Sequence, residues 1–383
     1  MENKRHILIL SSWYPTRIDS ASGNFIKRFA VLLASRFKIS VIFVKADSAI
    51  KDTEVYENRE GDFHEIIVYY PKPKGVFSRT RQLARYKKSL DIAISKLDSK
   101  PELIHAHVAY PKGKEFEYVA SKLGIDYILS EHSSDFSKNE RLKWSKIKRQ
   151  LIIQTIRKAR LILPVSSLLE QEMLQVEPHF ARIVLPLPVN TKLFYPNQGH
   201  VAGKPYTFLH VSGLDEKFKN VKGIVEAFYR VNQHHPHTRL TIVTDGNSLV
   251  LEDFMKSKGF DKDVEIKHDL SYDEVALEYR NSDCFVLFSE FETYSCVLVE
   301  ALASGIQIIT TDVGVVKSLD EKLVTIVPQR DIHALATSME ELCMGKRIVE
   351  KSDLVQAGNL FSEDHIMDRL QMIYNEVLLK SND

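Results

Sequence analysis

Short apolar runs alternate with longer amphipathic segments along nearly the whole chain. Such runs are typical of buried parallel strands, whereas apolar positions three or four residues apart are typical of helices that pack on a sheet. In the first half, the pattern predicts strands near residues 6–10, 38–44, 65–70 and 161–165, and two strands that end in histidine near 103–107 and 127–132.

The second half repeats this alternation. It predicts strands near residues 206–211, 238–243, 264–267 and 284–288 and another that begins at 307. Over the whole chain, the helices with the clearest pattern are predicted near 25–35, 76–97, 273–279, 295–305 and 362–379. This order predicts an α/β fold of two Rossmann-like domains.

Length and composition fit that organisation. The 383 residues suit two domains of about 190 residues each, and 44% hydrophobic with 27% charged residues is typical of a globular protein. No apolar run approaches the roughly 20 residues of a membrane span. Three cysteines without metal-type spacing argue against a disulfide framework and a zinc site. We therefore expect a cytoplasmic protein.

The two halves carry opposite charge. Residues 1–200 hold 33 lysines and arginines against 21 carboxylates, a net charge of +12, and the remainder has a net charge of −11. Two basic segments contribute to the first half. One is the helix near 76–97 with Arg79, Arg81, Arg85, Lys87 and Lys88, and the other is the stretch 138–160. They suit an anionic membrane surface, and the alternative is a solvated helix face. Nucleic acid is not expected, because binding motifs are absent.

The stretch from Cys284 to Gly305 is the most informative part of the sequence. It predicts a strand, an acidic turn and a helix that opens near Ser295 and closes at Gly305. Free N–H groups at such a helix start can bind a diphosphate. Glu292 and Glu300, eight residues apart, would then address sugar and ribose hydroxyls of a nucleotide sugar. The alternative is two solvated carboxylates beside an ordinary buried helix.

This stretch, with the trailing Glu-Ala-Leu-Ala-Ser-Gly, resembles the E-x7-E signature of glycosyltransferase family 4, whose members are retaining enzymes of the two-domain GT-B fold. The resemblance implies two Rossmann-like domains facing a central cleft, with an acceptor-binding domain at 1–195 and a donor-binding domain at 196–362. It also implies a helix at 363–383 that crosses back to the first domain.

The same resemblance implies site residues in the second domain. Glu292 would contact the donor sugar and Glu300 the ribose, and Lys219, or alternatively Lys217, would neutralise the departing diphosphate. Family members usually place an arginine near Gly213, and this chain does not. The remaining donor-binding residues are expected to be Gly213, Tyr294, Ser295 and Cys296.

In the first domain, the resemblance places His132 beside the donor sugar as a third catalytic residue and His107 near the cleft. Gly23, before the first helix, would let the backbone approach the donor, although a glycine at that position is as often a turn residue. Trp13 and Tyr14 lie in the same loop and are expected at the acceptor or cleft.

The expected function is transfer of a hexosyl or N-acetylhexosaminyl group, with retention, from a UDP-sugar in preference to a GDP-sugar. The expected acceptor is a glycan or polyprenyl-linked glycan of the cell surface, met at the inner membrane face. No metal and no cofactor are expected. Two alternatives remain: a sugar-nucleotide epimerase of the same fold, and a non-catalytic nucleotide-sugar-binding scaffold.

Overall fold

A computed structural model describes residues 4–20, 22–72, 78–197, 204–260 and 262–379, with the side chains of residues 78–80 and 217 outside that description. The chain divides into two compact units. The first contains residues up to Val165, Leu169–Leu185 and Arg369 onward, and the second contains Ser166–Leu168 and Pro186–Asp368.

A seven-stranded sheet forms the centre of the first unit, in the order β3-β4-β2-β1-β5-β6-β7. All neighbouring strands are parallel except β3, which runs antiparallel to β4. The strands are β1 His6–Ser11, β2 Lys38–Asp47, β3 Glu54–Glu60, β4 Phe63–Pro71, β5 Leu103–His107, β6 Tyr127–Glu131 and β7 Leu161–Pro164. The helices in this half of the chain are α1 Asn24–Leu33, α2 Ser78–Ser95, α3 Gly113–Leu123, α4 Lys138–Arg141, α5 Lys146–Lys158 and α6 Ser167–Leu174.

Strand β3 closes one edge of this sheet. Its residues are almost all exposed and include Glu54, Glu57, Arg59 and Glu60, whereas the paired strand β4 is buried from Phe63 to Tyr70. The apolar pattern does not predict β3, because this strand has no buried face. It exists through its antiparallel pairing with β4.

The second unit is built on a six-stranded parallel sheet in the order β10-β9-β8-β11-β12-β13. Its strands are β8 Tyr206–Val211, β9 Thr238–Thr244, β10 Val264–His268, β11 Cys284–Leu287, β12 Gln307–Thr310 and β13 Thr325–Ile326. The helices are α7 Glu216–Lys219, α8 Val221–His234, α9 Leu249–Lys258, α10 Tyr272–Asn281, α11 Cys296–Ala303, α12 Ile332–Cys343 and α13 Lys351–Asn359. Apolar residues of the central strands and of α8 and α12 pack into one core.

The last helix, α14 Glu363–Leu379, is divided between the two units. From Arg369 onward it is part of the first unit. There Tyr374 is fully buried, and its hydroxyl lies 2.6 Å from Nδ1 of His105 on β5. Arg369 donates a hydrogen bond to the carbonyl of Val184 at 2.8 Å. The helix end is therefore held by polar contacts as well as by its apolar face.

Candidate functional site

The loop between β11 and α11 in the second unit has an unusual backbone. Ser295, just before the helix, adopts a left-handed conformation with φ 81°, and Gly305 after the helix has φ 63°. Gly314 packs on this loop so closely that a Cβ there would lie 2.5 Å from the Tyr294 carbonyl oxygen. The amide of Val315 also donates to that carbonyl at 2.8 Å. Backbone packing thus fixes the start of α11.

Glu292, in this loop, is paired with Lys219 at the end of α7. Lys219 Nζ lies 2.6 Å from Glu292 Oε1, and the Ser289 hydroxyl donates to the same oxygen at 2.9 Å. Only 24% of the lysine side chain and 11% of the glutamate side chain are exposed. The positive group expected at the diphosphate and the carboxylate expected at the sugar are therefore in direct contact. Lys217, the alternative cation, has a side chain outside the described residues.

Glu300 lies within α11 and is only 6% exposed. Its Oε1 accepts a hydrogen bond from the hydroxyl of Tyr272 at 3.1 Å. Burial is the main cause that raises the pKa of nearby Tyr279, and the Glu300 carboxylate adds to that effect. A carboxylate held by phenol groups at this place can accept hydrogen bonds from vicinal hydroxyls of a ligand.

The other residues expected at the donor take different positions. Ser295 is buried with a hydroxyl that has no hydrogen-bond partner among the described residues, and Cys296 begins α11 as a partly buried cysteine outside any disulfide. Tyr294 is 3% exposed and donates its hydroxyl to the Leu187 carbonyl, so only its main chain is available to a ligand. Exposed Gly213 follows β8, and its carbonyl packs against Gly246.

The first unit brings His107 and His132 together at the carboxyl ends of β5 and β6. Their rings stack at 5.5 Å between centroids, and His107 Nδ1 lies 3.2 Å from His132 Nε2. His105 also stacks on His107, at 4.3 Å between ring centroids. Burial lowers the pKa of His132 to about 3 and holds that of His107 well below its ordinary value, so both rings are neutral.

Glu131, which sequence reasoning missed, shapes the ends of these two strands. Its fully buried carboxylate accepts hydrogen bonds from the amides of Ala109, His132 and Ser133, each at 2.8 Å. Burial raises its pKa to about 7, although the three amides favour the charged form. A carboxylate at the end of an otherwise apolar strand is the sequence signal that could have identified it.

The first loop is also fixed by its own contacts. Gly23 precedes α1 with φ 75°, and a Cβ there would lie 2.6 Å from the main-chain carbonyl carbon of Trp13. Tyr14 is buried and donates its hydroxyl to Glu65 at 2.6 Å, while Trp13 is partly exposed. Phe25, two residues after Gly23, packs edge-on against His132 at 5.1 Å. The loop therefore lies beside the histidines, with Tyr14 engaged inside the fold.

Neither a metal-binding cluster nor a membrane-spanning helix occurs among the described residues. No group of three or more histidine, cysteine, aspartate or glutamate side chains within them is placed to hold a metal ion. Likewise, none of the helices described is both long and apolar enough to cross a bilayer.

Comparison with known proteins gives a family match within the second unit. Residues 192–355 match the family described as Glycosyl transferases group 1, so the second unit carries a group 1 glycosyltransferase domain and the expected resemblance is confirmed. The chain is 27% identical over 275 residues to TuaC of Bacillus subtilis strain 168, named as a teichuronic acid biosynthesis glycosyltransferase. That match covers 69% of this chain and 66% of the relative, so the chain spans just under two thirds of that protein's length.

Solved structures share the architecture of the chain. Sucrose-phosphate synthase from Thermosynechococcus elongatus superposes with a TM-score of 0.73 at 17% identity, covering 98% of this chain and 100% of that one. Anabaena Alr3699/HepE in complex with UDP and glucose gives 0.71 at 14% identity, covering 97% and 100%. The expected α/β fold of GT-B type is thereby confirmed.

Proposed function

We propose that this protein is a retaining glycosyltransferase that uses a nucleotide diphosphate sugar, with UDP in preference to GDP as the nucleotide. The contact between Lys219 and Glu292 beside the start of α11 carries this proposal. A cation and a carboxylate thus lie together in the loop that leads into a helix start, and these are the groups that a diphosphate and a sugar require. The family match supports the reaction class, and the UDP and glucose named for HepE support the donor.

Each side chain of the second unit has a distinct proposed role. Glu300 accepts hydrogen bonds from the ribose hydroxyls, and Glu292 orients the donor sugar. Lys219 and the N–H groups of α11 stabilise the charge that develops on the leaving diphosphate. The bond between the anomeric carbon and the phosphate oxygen breaks, and the acceptor oxygen attacks from the same face. The departing phosphate oxygen takes the acceptor proton, so no nucleophilic carboxylate is required.

The first unit is proposed to bind the acceptor, with His132 close to the reacting sugar. His107 holds His132 through the ring contact at 3.2 Å, and Glu131 fixes the backbone on which both rings stand. The proposed acceptor is a growing surface glycan, free or attached to a polyprenyl lipid, and the teichuronic acid biosynthesis named for the Bacillus relative supports a glycan product. The group proposed to be transferred is a hexosyl or N-acetylhexosaminyl residue.

Thermal shift with UDP, GDP, ADP and their common sugars tests the donor site. A nucleotide at about 100 times its dissociation constant adds roughly 2.7 kcal/mol of stability to wild type. We expect one nucleotide class to stabilise wild type and E300Q to lose that response, because the amide cannot accept at both positions. E290Q is the matched control, since Glu290 lies in the same loop as Glu292 but pairs with Arg330. Absence of any response to nucleotide in wild type would overturn the donor assignment.

A donor-binding scaffold without transferase activity is the second candidate, and Gly213 favours it because the usual arginine is missing. A Cβ at Gly213 would meet only Asp245 Oδ1, at 3.4 Å, so a side chain can be accommodated there. Donor hydrolysis and transfer to sugar acceptors should therefore be measured for wild type and G213R. Turnover by wild type excludes the scaffold, whereas turnover that occurs only in G213R supports it. Release of an epimer without acceptor would indicate the epimerase.

A further inference from the structure

The three most exposed large apolar side chains among the described residues all lie in the basic segments of the first unit. Leu142 is 79% exposed, Ile147 73% and Leu83 70%. Leu83 belongs to α2, and the other two flank the start of α5. Single exposed leucines are common on protein surfaces, but their concentration within cationic segments is not explained by packing.

The segment that carries Leu142 and Ile147 is held firmly in place. Ser145 caps α5 by accepting a hydrogen bond from the amide of Lys148 at 3.1 Å. Trp144 packs edge-on against Phe136 at 5.4 Å between ring centroids. Because the tryptophan between them is anchored inward, Leu142 and Ile147 are fixed on the outside.

All three apolar side chains lie at the same end of the first sheet. Helices α2 and α5 follow β4 and β6, and a helix that follows a parallel strand begins at the carboxyl edge of the sheet. The loop after β5 lies between them: Lys148 Nζ is 4.8 Å from the Tyr110 ring, and Lys112 Nζ is 5.9 Å from the Tyr86 ring of α2. This edge also carries His107 and His132.

The surface around these side chains is strongly cationic. Residues 138–150 contain six lysines and arginines and one carboxylate, and α2 contains five and one. Some of these cations are neutralised, since Arg141 pairs with Glu172 and Lys148 pairs with Asp135. Within the described part of the chain, no ion pair engages Lys146 or Arg149, and both are exposed. The side chain of Arg79 lies outside the described residues.

We propose that this surface, the docking rim of Leu83, Leu142, Ile147, Lys146 and Arg149, binds an anionic phospholipid bilayer. Apolar side chains would enter the boundary between headgroups and acyl chains, and the cations would meet the lipid phosphates. The phosphate backbone of a nucleic acid has no apolar region that could cover the exposed leucines, so a lipid surface is favoured. The proposal deepens the proposed function, because it would bring the acceptor edge of the first unit to a lipid-linked acceptor.

Vesicle co-sedimentation with the full chain tests the docking rim. Vesicles of phosphatidylcholine alone are compared with vesicles that contain about 30% phosphatidylglycerol. We expect wild type to bind only the anionic vesicles, L142S/I147S to bind at least about tenfold more weakly, and K146E/R149E to lose binding. A tenfold loss is the minimum, because transferring even one such side chain from water is worth about that factor.

M372S/L379S is the matched control. Met372 and Leu379 are 64% and 66% exposed, lie seven residues apart on α14 and also belong to the first unit. The control should bind like wild type. Absence of wild-type binding to anionic vesicles, or an equal loss in the control, overturns the docking rim.

The thermal shift with nucleotide separates the two proposals. A rim variant that keeps the nucleotide response but loses vesicle binding supports the docking rim and shows that the fold is intact. A wild type that binds vesicles but no nucleotide refutes the donor site and leaves the docking rim standing.

Discussion

Replacing Glu292 by glutamine should tighten the binding of a free nucleoside diphosphate while it slows sugar transfer. Lys219 donates to Glu292 at 2.6 Å, so a diphosphate that needs Lys219 must share or displace this contact. Glutamine keeps the shape of the side chain and its hydrogen bond with Ser289, but it removes the negative charge. Both the competition for Lys219 and the repulsion of the phosphates then weaken.

The size of the effect follows from the geometry of the pair. Two unit charges 2.6 Å apart attract by roughly 6 kcal/mol at an effective dielectric constant of about 20. Desolvation cancels most of that attraction, and a hydrogen bond to a charged group retains about 1.5–3 kcal/mol. A neutral amide retains about half of this, so about 0.75–1.5 kcal/mol is released and E292Q should bind UDP about 3–12 times more tightly.

Isothermal titration with UDP measures this change, and E290Q serves as the control in the same loop. The gain should disappear in the K219A background, because the competition requires both partners. With an intact donor sugar, E292Q loses the contact that orients the sugar, and the rate of transfer should fall by about 100-fold or more. Unchanged or weaker binding of UDP to E292Q would refute the competition between diphosphate and Glu292.

Two further predictions concern the first unit. G23A should lower the free energy of unfolding, measured in urea, by at least about 2 kcal/mol more than G61A does. Both glycines have positive φ, but only at Gly23 would a Cβ collide with the Trp13 main chain. Equal losses of stability in the two variants would contradict this. Stability should fall as pH drops below about 6.5, because burial lowers the pKa of His105 and His132 to about 3 and the unfolded chain takes up the protons first. Urea midpoints measured from pH 7 to pH 5 should fall less steeply in H105Q, and an unchanged slope would contradict a neutral buried ring.

Much of the fold could be predicted because parallel strands buried on both faces are continuous apolar runs. The strand before the acidic loop was predicted in this way, and the end of α11 was predicted from the preference of helix C-termini for glycine. Strand β3 was not, since its existence depends on pairing with β4 rather than on any apolar face of its own.

The candidate site was predictable only where its residues are close in sequence or follow strands of one sheet. Glu292 and Glu300 were named from their spacing and the family resemblance, and His107 and His132 from the ends of their strands and the same resemblance. The contact of Lys219 with Glu292 spans 73 positions, and that of Tyr272 with Glu300 spans 28. Such contacts depend on how loops pack, and the hydrophobic pattern of the sequence does not predict loop packing. Glu131 acts through backbone amides, so the apolar strand that it ends marks its position but does not reveal its partners.

The exposed, charged strand β3 also affects the tendency of the protein to self-associate. It occupies the hydrogen-bonding edge of β4, whose buried Ile66, Ile67 and Val68 would otherwise offer a template for another extended chain. Its three glutamates and Arg59 discourage a further strand from joining outside it. A truncation or proteolytic cut within residues 54–60 would therefore be expected to convert a well-behaved molecule into one that self-associates through β4.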